Sequence, residues 1–151
     1  MDVYAKLEAM GLTLPPPPKP GGIYKPVRQV GNLLYVSGQG CTRGGVPCCT
    51  GMVGKECNVE EGQEAARVCV LNALSVLHAH LGDLNRIRGV VKLLGFVLSA
   101  PGFDKQPLVM NGASQLLLDL FGEAGVGARS AIGTSALPGN ITVEVEFIFE
   151  I

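Results

Sequence analysis

The sequence has 151 residues, enough for one domain of ordinary size with a hydrophobic core of its own. It carries 12 Lys and Arg against 13 Asp and Glu, a net charge of −1. This balance argues against a nucleic-acid-binding role, which usually needs a concentrated basic excess. Hydrophobic residues make up 47% and charged residues 17%, the reverse of a disordered composition. Because no apolar run approaches the ~18 residues of a membrane span and no targeting segment is apparent, we expect a cytoplasmic protein without membrane contact.

The chain opens with a short amphipathic stretch, for which we predict a helix over residues 2–10 that ends at Gly11. Residues 15–20 then hold five of the ten prolines in the sequence. Such a run fits neither a helix nor an inner strand and predicts an extended polyproline spacer. We therefore divide the chain into an N-terminal helix with a Pro-rich spacer, residues 1–20, and a single domain, residues 21–151.

Turn and cap residues divide the rest of the chain into strands and helices. Gly31 and Asn32 indicate a hairpin turn, Asn58 is a good helix N-cap, and Gly82 ends that helix. Residues 38–57 are rich in Gly and Cys without a clear period, which indicates a long loop with at most a short edge strand. The predicted elements are strands at 24–30 and 33–37, a helix at 58–81, a strand at 90–99, a helix at 107–121, and strands at 129–136 and 141–151.

The last predicted strand has the clearest alternation of side chains. One face carries Val143, Val145, Phe147 and Phe149, and the other carries Thr142, Glu144, Glu146, Ile148 and Glu150. Residues 137–140 predict a turn, so we expect the last two strands to form a hairpin with Arg129 opposite Ile148. The order ββ-α-β-α-ββ, with two helices on one face of a mixed sheet, predicts an α+β sandwich. A second subunit covering the other face would explain why that face is partly apolar.

The five cysteines, at positions 41, 48, 49, 57 and 69, are conspicuous. Zinc sites typically use cysteine pairs two to four residues apart, whereas the spacing here is C-x6-C-C-x7-C and no His lies in that loop. Cys69 falls on the apolar stripe of the predicted helix, where a small buried side chain is the simplest interpretation. His78 and His80 lie near the end of the same helix, where its dipole favours them. We therefore expect no metal.

Arg129 opens a strand in an otherwise uncharged stretch, residues 126–140. A desolvated guanidinium needs an anionic partner, and a cross-strand ion pair with one of the glutamates of the last strand is the simplest one. In the hairpin register, however, Arg129 and Glu144 lie about four residues, roughly 13 Å, apart along the strands. A small anionic ligand could fill that gap. The pattern alone leaves both interpretations open.

Several short segments occur together in a specific order. They are Tyr-Lys-Pro at 24–26, Leu-Tyr-Val-Ser-Gly-Gln at 34–39, Gly-Asp-Leu at 82–84, Asn111 with the helix that follows, Ala-Arg-Ser at 128–130, Leu-Pro at 137–138 and Val-Glu-Val-Glu at 143–146. In this combination the sequence resembles the RidA (YjgF) family, also called the L-PSP endoribonuclease family. The longer N-terminal segment resembles a longer subgroup of that family.

The resemblance implies a chorismate-mutase-like fold and a homotrimer whose ligand sites lie in clefts between subunits. It also implies the hydrolysis of reactive 2-imino or enamine acids to 2-keto acids and ammonia, a detoxification reaction without a cofactor. By motif position, Arg129 would bind the carboxylate of the substrate and Glu144 would hold or activate a water molecule. The residues expected to line the pocket are Tyr24, Ser37, Gly38 and Asn111.

The implied chemistry is reasonable because an imine carbon is already electrophilic. An Arg–carboxylate contact orients the substrate, and a carboxylate with a water molecule supplies general acid–base catalysis. The sequence departs from many active relatives at Ala131, where they have Cys. A non-catalytic, small-carboxylate-binding or regulatory trimer is therefore the alternative. Ribonuclease activity is disfavoured by the net charge and by the lack of a stripe of basic and aromatic residues.

Overall fold

In the computed structural model, which describes residues 2–151, helices pack on a five-stranded mixed sheet. The elements in chain order are α1 (Val3–Ala9), β1 (Val27–Val30), β2 (Leu33–Gly40), β3 (Thr42–Arg43), β4 (Val46–Pro47), α2 (Val59–Leu81), β5 (Gly89–Leu98), α3 (Gln106–Phe121), β6 (Ala128–Thr134) and β7 (Val143–Glu150). Single 3-10 turns lie at Leu84–Arg86, Gly122–Gly125 and Pro138–Asn140. The sheet order is β1-β2-β7-β5-β6, and β3 and β4 form a separate hairpin. The predicted α+β class and element order are confirmed.

Helix α2 begins and ends at the residues that the sequence indicated. The Asn58 side chain accepts a hydrogen bond from the Glu61 backbone N–H, and the Glu61 carboxylate accepts one from the Asn58 N–H, which forms a capping box. Gly82 closes the helix in the left-handed conformation, with φ of 80°. Helix α3 crosses α2 so closely that a Cβ on Gly112 would lie 2.2 Å from the Gln63 carbonyl oxygen. This glycine therefore fixes the position of α3 over the sheet.

The N-terminal segment packs on the same core as the rest of the chain. Val3 and Leu7 of α1 are buried in it, and the Tyr4 hydroxyl lies 2.8 Å from His78 Nδ1. The Pro-rich stretch runs back across α2, where the Ser75 hydroxyl donates a hydrogen bond to the Pro15 carbonyl. Residues 2–20 are therefore in contact with residues 21–151, and the division of the chain at residue 20 stays a prediction.

The predicted hairpin between the last two strands is wrong. Strand β5 lies between them, pairing parallel with β6 and antiparallel with β7, so Arg129 is level with Leu93 and, across β5, with Phe147. The parallel pairing follows from the connection, because a strand-helix-strand crossover through α3 returns the chain in the same direction. The turn at residues 137–140 does exist, with Gly139 at φ of 65°, but it leads β7 into the gap between β2 and β5.

The strand bounds differ from the predictions at their ends. Strand β1 starts at Val27 instead of residue 24, and β2 extends to Gly40. Thr142 was expected on the outer face, but it precedes β7 and is fully buried. Within residues 2–151 no helix combines the length and apolar character that a membrane span requires.

The face of the sheet opposite the helices is uncovered in the single chain. It carries exposed or half-buried apolar side chains from four strands, namely Tyr35, Leu94, Phe96, Ile132 and Ile148. The opposite face of β7 is buried against the helices, as the alternating pattern predicted. We call the uncovered surface the open face.

Candidate functional site

Arg129 on the edge strand β6 is held by helix α3. Its Nη1 donates to Asn111 Oδ1 at 2.8 Å and to Ser114 Oγ at 3.1 Å, and its Nη2 donates to the Pro107 carbonyl oxygen at 3.3 Å. Asn111 and Ser114 are three residues apart on α3 and therefore share one helical face. We call Arg129, Asn111, Ser114 and Pro107 the arginine half-site.

All three acceptors of Arg129 are neutral. Within residues 2–151 its guanidinium makes no ion pair, so the cross-strand ion pair with a glutamate of β7, one of the two interpretations that the sequence left open, is not formed. A guanidinium has five N–H donors, and three of them are used here. The two that remain belong to the neighbouring nitrogens Nε and Nη2, the arrangement that binds a carboxylate in a bidentate manner. The half-site is therefore rigid, positively charged and open to an anion.

Glu144 lies on the open face near the start of β7. Strand β2 pairs with β7 but has an irregularity between Val36 and Gln39, so Ser37 and Gly38 lie in a bulge beside Glu144. A Cβ on Gly38 would lie 3.1 Å from both the carboxyl carbon and Oε2 of Glu144. The missing side chain thus makes room for the carboxylate over the bulge.

Tyr24, Gly38 and Glu144 line one cavity of about 360 Å³. The Tyr24 side chain is half exposed, and its hydroxyl accepts a hydrogen bond from the Gly21 N–H at 2.9 Å. Ser37 lies in the bulge, where its hydroxyl donates to the Lys25 carbonyl at 2.6 Å. The remaining walls come from the Pro-rich segment, the β3–β4 hairpin and the turn before β7. We call Tyr24, Ser37, Gly38 and Glu144 the glutamate half-site.

Partial burial raises the pKa of the Glu144 carboxyl above its ordinary value of 4.5, and the negative charge of Glu146 raises it further. No cation neutralises Glu144 within residues 2–151. A carboxylate of this kind accepts a proton more readily than an exposed one, which suits a general base.

The two half-sites lie on opposite faces of the sheet. Arg129 is level with Leu93 of β5 and Glu144 with Phe96, three residues further along. Because side chains alternate along a strand, an offset of three residues places them on opposite faces. Two strand spacings and three residue rises separate the backbones by roughly 14 Å. Within one chain the six predicted site residues therefore form two groups instead of one.

Sequence reasoning did not single out Ser114 and the Pro107 carbonyl as partners of Arg129. The helical spacing of Asn111 and Ser114 was a usable signal, because residues three apart share a helical face. Nothing in the sequence indicated the Pro107 carbonyl, since a backbone contact depends on how α3 is placed over β6.

The cysteines fall into two groups. Cys69 is fully buried on α2, as predicted, and burial raises the pKa of its thiol well above the ordinary value. Cys41 and Cys48 flank the β3–β4 hairpin, and a hydrogen bond from the Cys48 thiol lowers the pKa of Cys41 to about 6. Cys49 and Cys57, eight positions apart, have their sulfur atoms 3.5 Å apart.

The family model described as "YjgF/chorismate mutase-like, putative endoribonuclease" matches residues 4–151. Protein TCP17 of Trypanosoma cruzi is 43% identical over 150 residues, covering 99% of this chain and 94% of its own length. Both matches include the N-terminal helix and the Pro-rich segment.

Solved structures share the fold. The protein Atu1372 of Agrobacterium tumefaciens, a protein of unknown function, is 45% identical with a TM-score of 0.92, covering 99% of this chain and 92% of its own. RidA from the Antarctic bacterium Psychrobacter is 25% identical with a TM-score of 0.62, covering 89% of this chain and 94% of its own. The chorismate-mutase-like, RidA-type architecture implied by the sequence motifs is thereby confirmed.

Proposed function

The chain belongs to the YjgF/chorismate mutase-like family, and on this basis we propose that it hydrolyses reactive 2-imino or enamine acids to 2-keto acids and ammonia in a cleft between subunits. The observation that carries the proposal is the unpaired guanidinium of Arg129, held by neutral acceptors with two neighbouring N–H donors free. A small carboxylate is the ligand that this arrangement fits best.

Arg129 binds and orients the substrate. Asn111 and Ser114 fix the guanidinium without neutralising it, so the full positive charge faces the carboxylate of an imino acid. Holding a reactant in one orientation removes much of the entropic part of the barrier. The imine carbon, one bond from the carboxylate, is then presented to water at a fixed distance from Arg129.

Glu144 acts on the water molecule. Its carboxylate accepts a proton as the water oxygen attacks the imine carbon, and the tetrahedral carbinolamine that forms then loses ammonia. For an imine protonated on nitrogen, the proton taken up by Glu144 passes to that nitrogen, which leaves as ammonia while Glu144 accepts the hydroxyl proton and the keto carbonyl forms, so acid and base are the same group. A raised pKa favours this exchange because it brings the proton affinity of the carboxylate closer to neutrality.

Two subunits are needed to bring these groups together. Arg129 and Glu144 lie on opposite faces of one sheet, so a complete site combines the arginine half-site of one chain with the glutamate half-site of another. The apolar side chains of the open face support such an assembly, because a chain this apolar gains by covering them. We propose a homotrimer, with a mass near three times the 15.8 kDa of the chain.

The activity is tested with imino acids generated in situ from several amino acids by an amino-acid oxidase. We expect the purified protein to speed the release of ammonia and keto acid over buffer, with Arg129→Ala as the inactive control. No acceleration for any amino acid would contradict the hydrolase. Light scattering on the same sample measures the assembly, and a stable monomer would contradict the shared site.

Ala131 favours a second candidate, a carboxylate-binding trimer without turnover. Its side chain is two residues after Arg129 on the same face of β6 and offers only a methyl group at the edge of the arginine half-site. Calorimetry with 2-oxobutyrate or benzoate would then show saturable binding, lost in Arg129→Ala, while the oxidase-coupled assay shows no turnover. Cleavage of RNA by the purified protein that disappears in the same variant would favour a ribonuclease over both.

A further inference from the structure

Two cysteines and a glutamate converge where the loop of residues 48–57 meets helix α2. The Cys49 and Cys57 sulfur atoms lie 3.5 Å apart, and a Glu61 carboxylate oxygen lies within 4.8 Å of both. Cys57 is buried, Cys49 is half-buried and Glu61 is exposed, so the cluster is reached from solvent on one side only. We call these three residues the Cys49–Cys57–Glu61 cluster.

The spacing of the two sulfur atoms fits a shared metal ion. With zinc–sulfur bonds of about 2.3 Å, two sulfur ligands of a tetrahedral zinc lie about 3.8 Å apart. The observed distance between the two sulfur atoms is 3.5 Å, and a small rotation of one cysteine side chain would bring it to the expected value. The Glu61 carboxylate uses Oε1 to accept from the Asn58 N–H, which leaves Oε2 free for a third ligand position.

In the metal-free chain burial raises the pKa of the Cys49 thiol to about 11, and the Cys57 thiol donates to the Thr50 carbonyl at 3.1 Å, but two neighbouring groups can stabilise thiolates once a cation is bound. The Thr142 hydroxyl lies 3.0 Å from the Gly51 carbonyl oxygen, 3.2 Å from Cys49 Sγ and 3.6 Å from Cys57 Sγ, so its single proton can be donated to one thiolate in place of the carbonyl. Cys57 immediately precedes the N-cap of α2, a helix of 23 residues whose positive dipole end faces it. Both contacts support thiolates, which are the form of cysteine that binds metal.

From this geometry we infer that Cys49, Cys57 and Glu61 bind one thiophilic divalent cation, Zn²⁺ by preference, with the fourth position open to water. The soft sulfur ligands select zinc over magnesium or calcium, which prefer oxygen ligands. The sequence argued against this site because its cysteines are eight positions apart. In the structure the loop turns back onto the start of α2 and brings the two sulfur atoms together. The Met52 carbonyl oxygen accepts a hydrogen bond from the Cys57 N–H at this turn.

A metal ion here would clamp the loop onto the framework of the site. It would join residues 49 and 57 to the first turn of α2 and, through Thr142, to the start of β7. Thr142 lies two residues before Glu144, and its backbone N–H donates to the Cys49 carbonyl at 3.2 Å. The proposed effect of the ion is to hold the loop in place, and it is independent of which reaction the half-sites perform.

The test is a titration of the full-length, metal-free protein with Co²⁺ under a phosphine reductant, which keeps the thiols reduced without competing as a thiol. We expect one equivalent of Co²⁺ per chain, with the intense sulfur-to-cobalt absorption and visible bands of a tetrahedral site, both abolished by one equivalent of Zn²⁺. A Co²⁺ titration in which neither the sulfur-to-cobalt band nor the tetrahedral bands develop would overturn the proposal.

Matched variants locate the ion. Cys49→Ser and Cys57→Ser should each weaken the sulfur-to-cobalt band, and Glu61→Gln should lower Zn²⁺ affinity at least tenfold, roughly the loss that removal of even an outer-shell partner causes. The controls are Cys48→Ser, next to a ligand, and Glu60→Gln, in the same helical turn; both should bind like the parent chain. A band of undiminished intensity in Cys57→Ser, or one that Cys48→Ser weakens, would overturn the assignment. Circular dichroism of each variant checks its fold, and no readout depends on catalytic activity.

Discussion

The arginine and glutamate half-sites differ in how the fold holds their charged groups. Arg129 is fixed by three hydrogen bonds to side chains and backbone of α3 and presents its positive charge at the edge of the sheet. The Glu144 carboxylate is positioned by packing instead, because it lies on the open face over Gly38 in the bulge of β2. The Arg129 side chain is thus positioned by hydrogen bonds, and the Glu144 side chain by the space that Gly38 leaves.

This difference suits the two residues to different roles in the proposed reaction. A substrate carboxylate needs a fixed, positively charged partner, and the neutral acceptors around Arg129 provide it without consuming the charge. A proton acceptor needs a raised pKa, which partial burial and the neighbouring Glu146 provide at Glu144. Each half carries one charge that its own chain leaves unpaired within residues 2–151, so the two are complementary across an interface.

The largest effect is expected from Arg129→Ala, which removes the only cation of the proposed site. Losing one partner of a buried, hydrogen-bonded charge pair lowers kcat/KM by on the order of 10³-fold. Arg129→Lys should recover little, because an ammonium cannot bind Asn111 and a carboxylate with the same planar geometry. Steady-state kinetics with in situ imino acids measure this, and a variant with more than a tenth of wild-type activity would contradict the role of Arg129.

Glu144→Gln should have the second-largest effect. The amide keeps the size and the hydrogen-bonding reach of the carboxylate but cannot accept the proton of water. We expect kcat to fall on the order of 10²-fold, the lower end for general acid–base catalysis, with KM nearly unchanged. A change confined to KM would instead identify Glu144 as a binding group.

Gly38→Ala should produce a smaller loss by moving Glu144 without removing it. Gly38 does not have a positive φ, so alanine changes only the space, placing a Cβ about 3.1 Å from the carboxyl carbon of Glu144. Displacement of a catalytic group by a fraction of an ångström should lower kcat about tenfold. The thermal midpoint measured beside kcat separates this from unfolding, and unchanged kcat would show that the bulge does not position Glu144.

The smallest effect concerns the dependence of stability on pH. The pKa of Glu144 is raised in the folded chain, so the folded state binds its proton more tightly than the unfolded state does. Its stabilising contribution is fully present below the ordinary value of 4.5 and is lost as the pH rises through the raised pKa. Glu144→Gln should remove this dependence, a change of less than about 1 kcal/mol for a half-exposed group. Urea unfolding of both chains at pH 4 and pH 7 measures it, and identical pH dependence would count against the raised pKa.

Local signals in the sequence were sufficient to predict the order of the main helices and strands. The capping box at Asn58 and the left-handed Gly82 set the bounds of α2 within one residue of those predicted, because cap chemistry acts over a single turn. The family motifs also selected the residues that form the two half-sites, including Asn111, which contacts Arg129 directly.

The pairing of strands that are distant in the sequence could not be predicted from local signals. The turn at residues 137–140 suggested that neighbouring strands pair, yet β7 inserts between β2 and β5 and leaves β6 at the edge. That choice depends on how the strands pack against the helices and on the crossover through α3, which no local pattern records. The Cys49–Cys57 contact was missed for the same reason, since it depends on how a loop without a period folds back.

The central claim, that one site combines Arg129 of one chain with Glu144 of another, is tested most directly by complementation. Arg129→Ala and Glu144→Gln chains carrying different tags are produced in one cell, and the mixed assemblies are purified through both tags. Each mixed trimer has one interface at which an intact Arg129 meets an intact Glu144, so about a third of wild-type activity should return. Arg129→Ala mixed with the doubly substituted chain contains no such interface and should stay inactive. Activity in the mixed assemblies no higher than that of either parent would contradict the shared site.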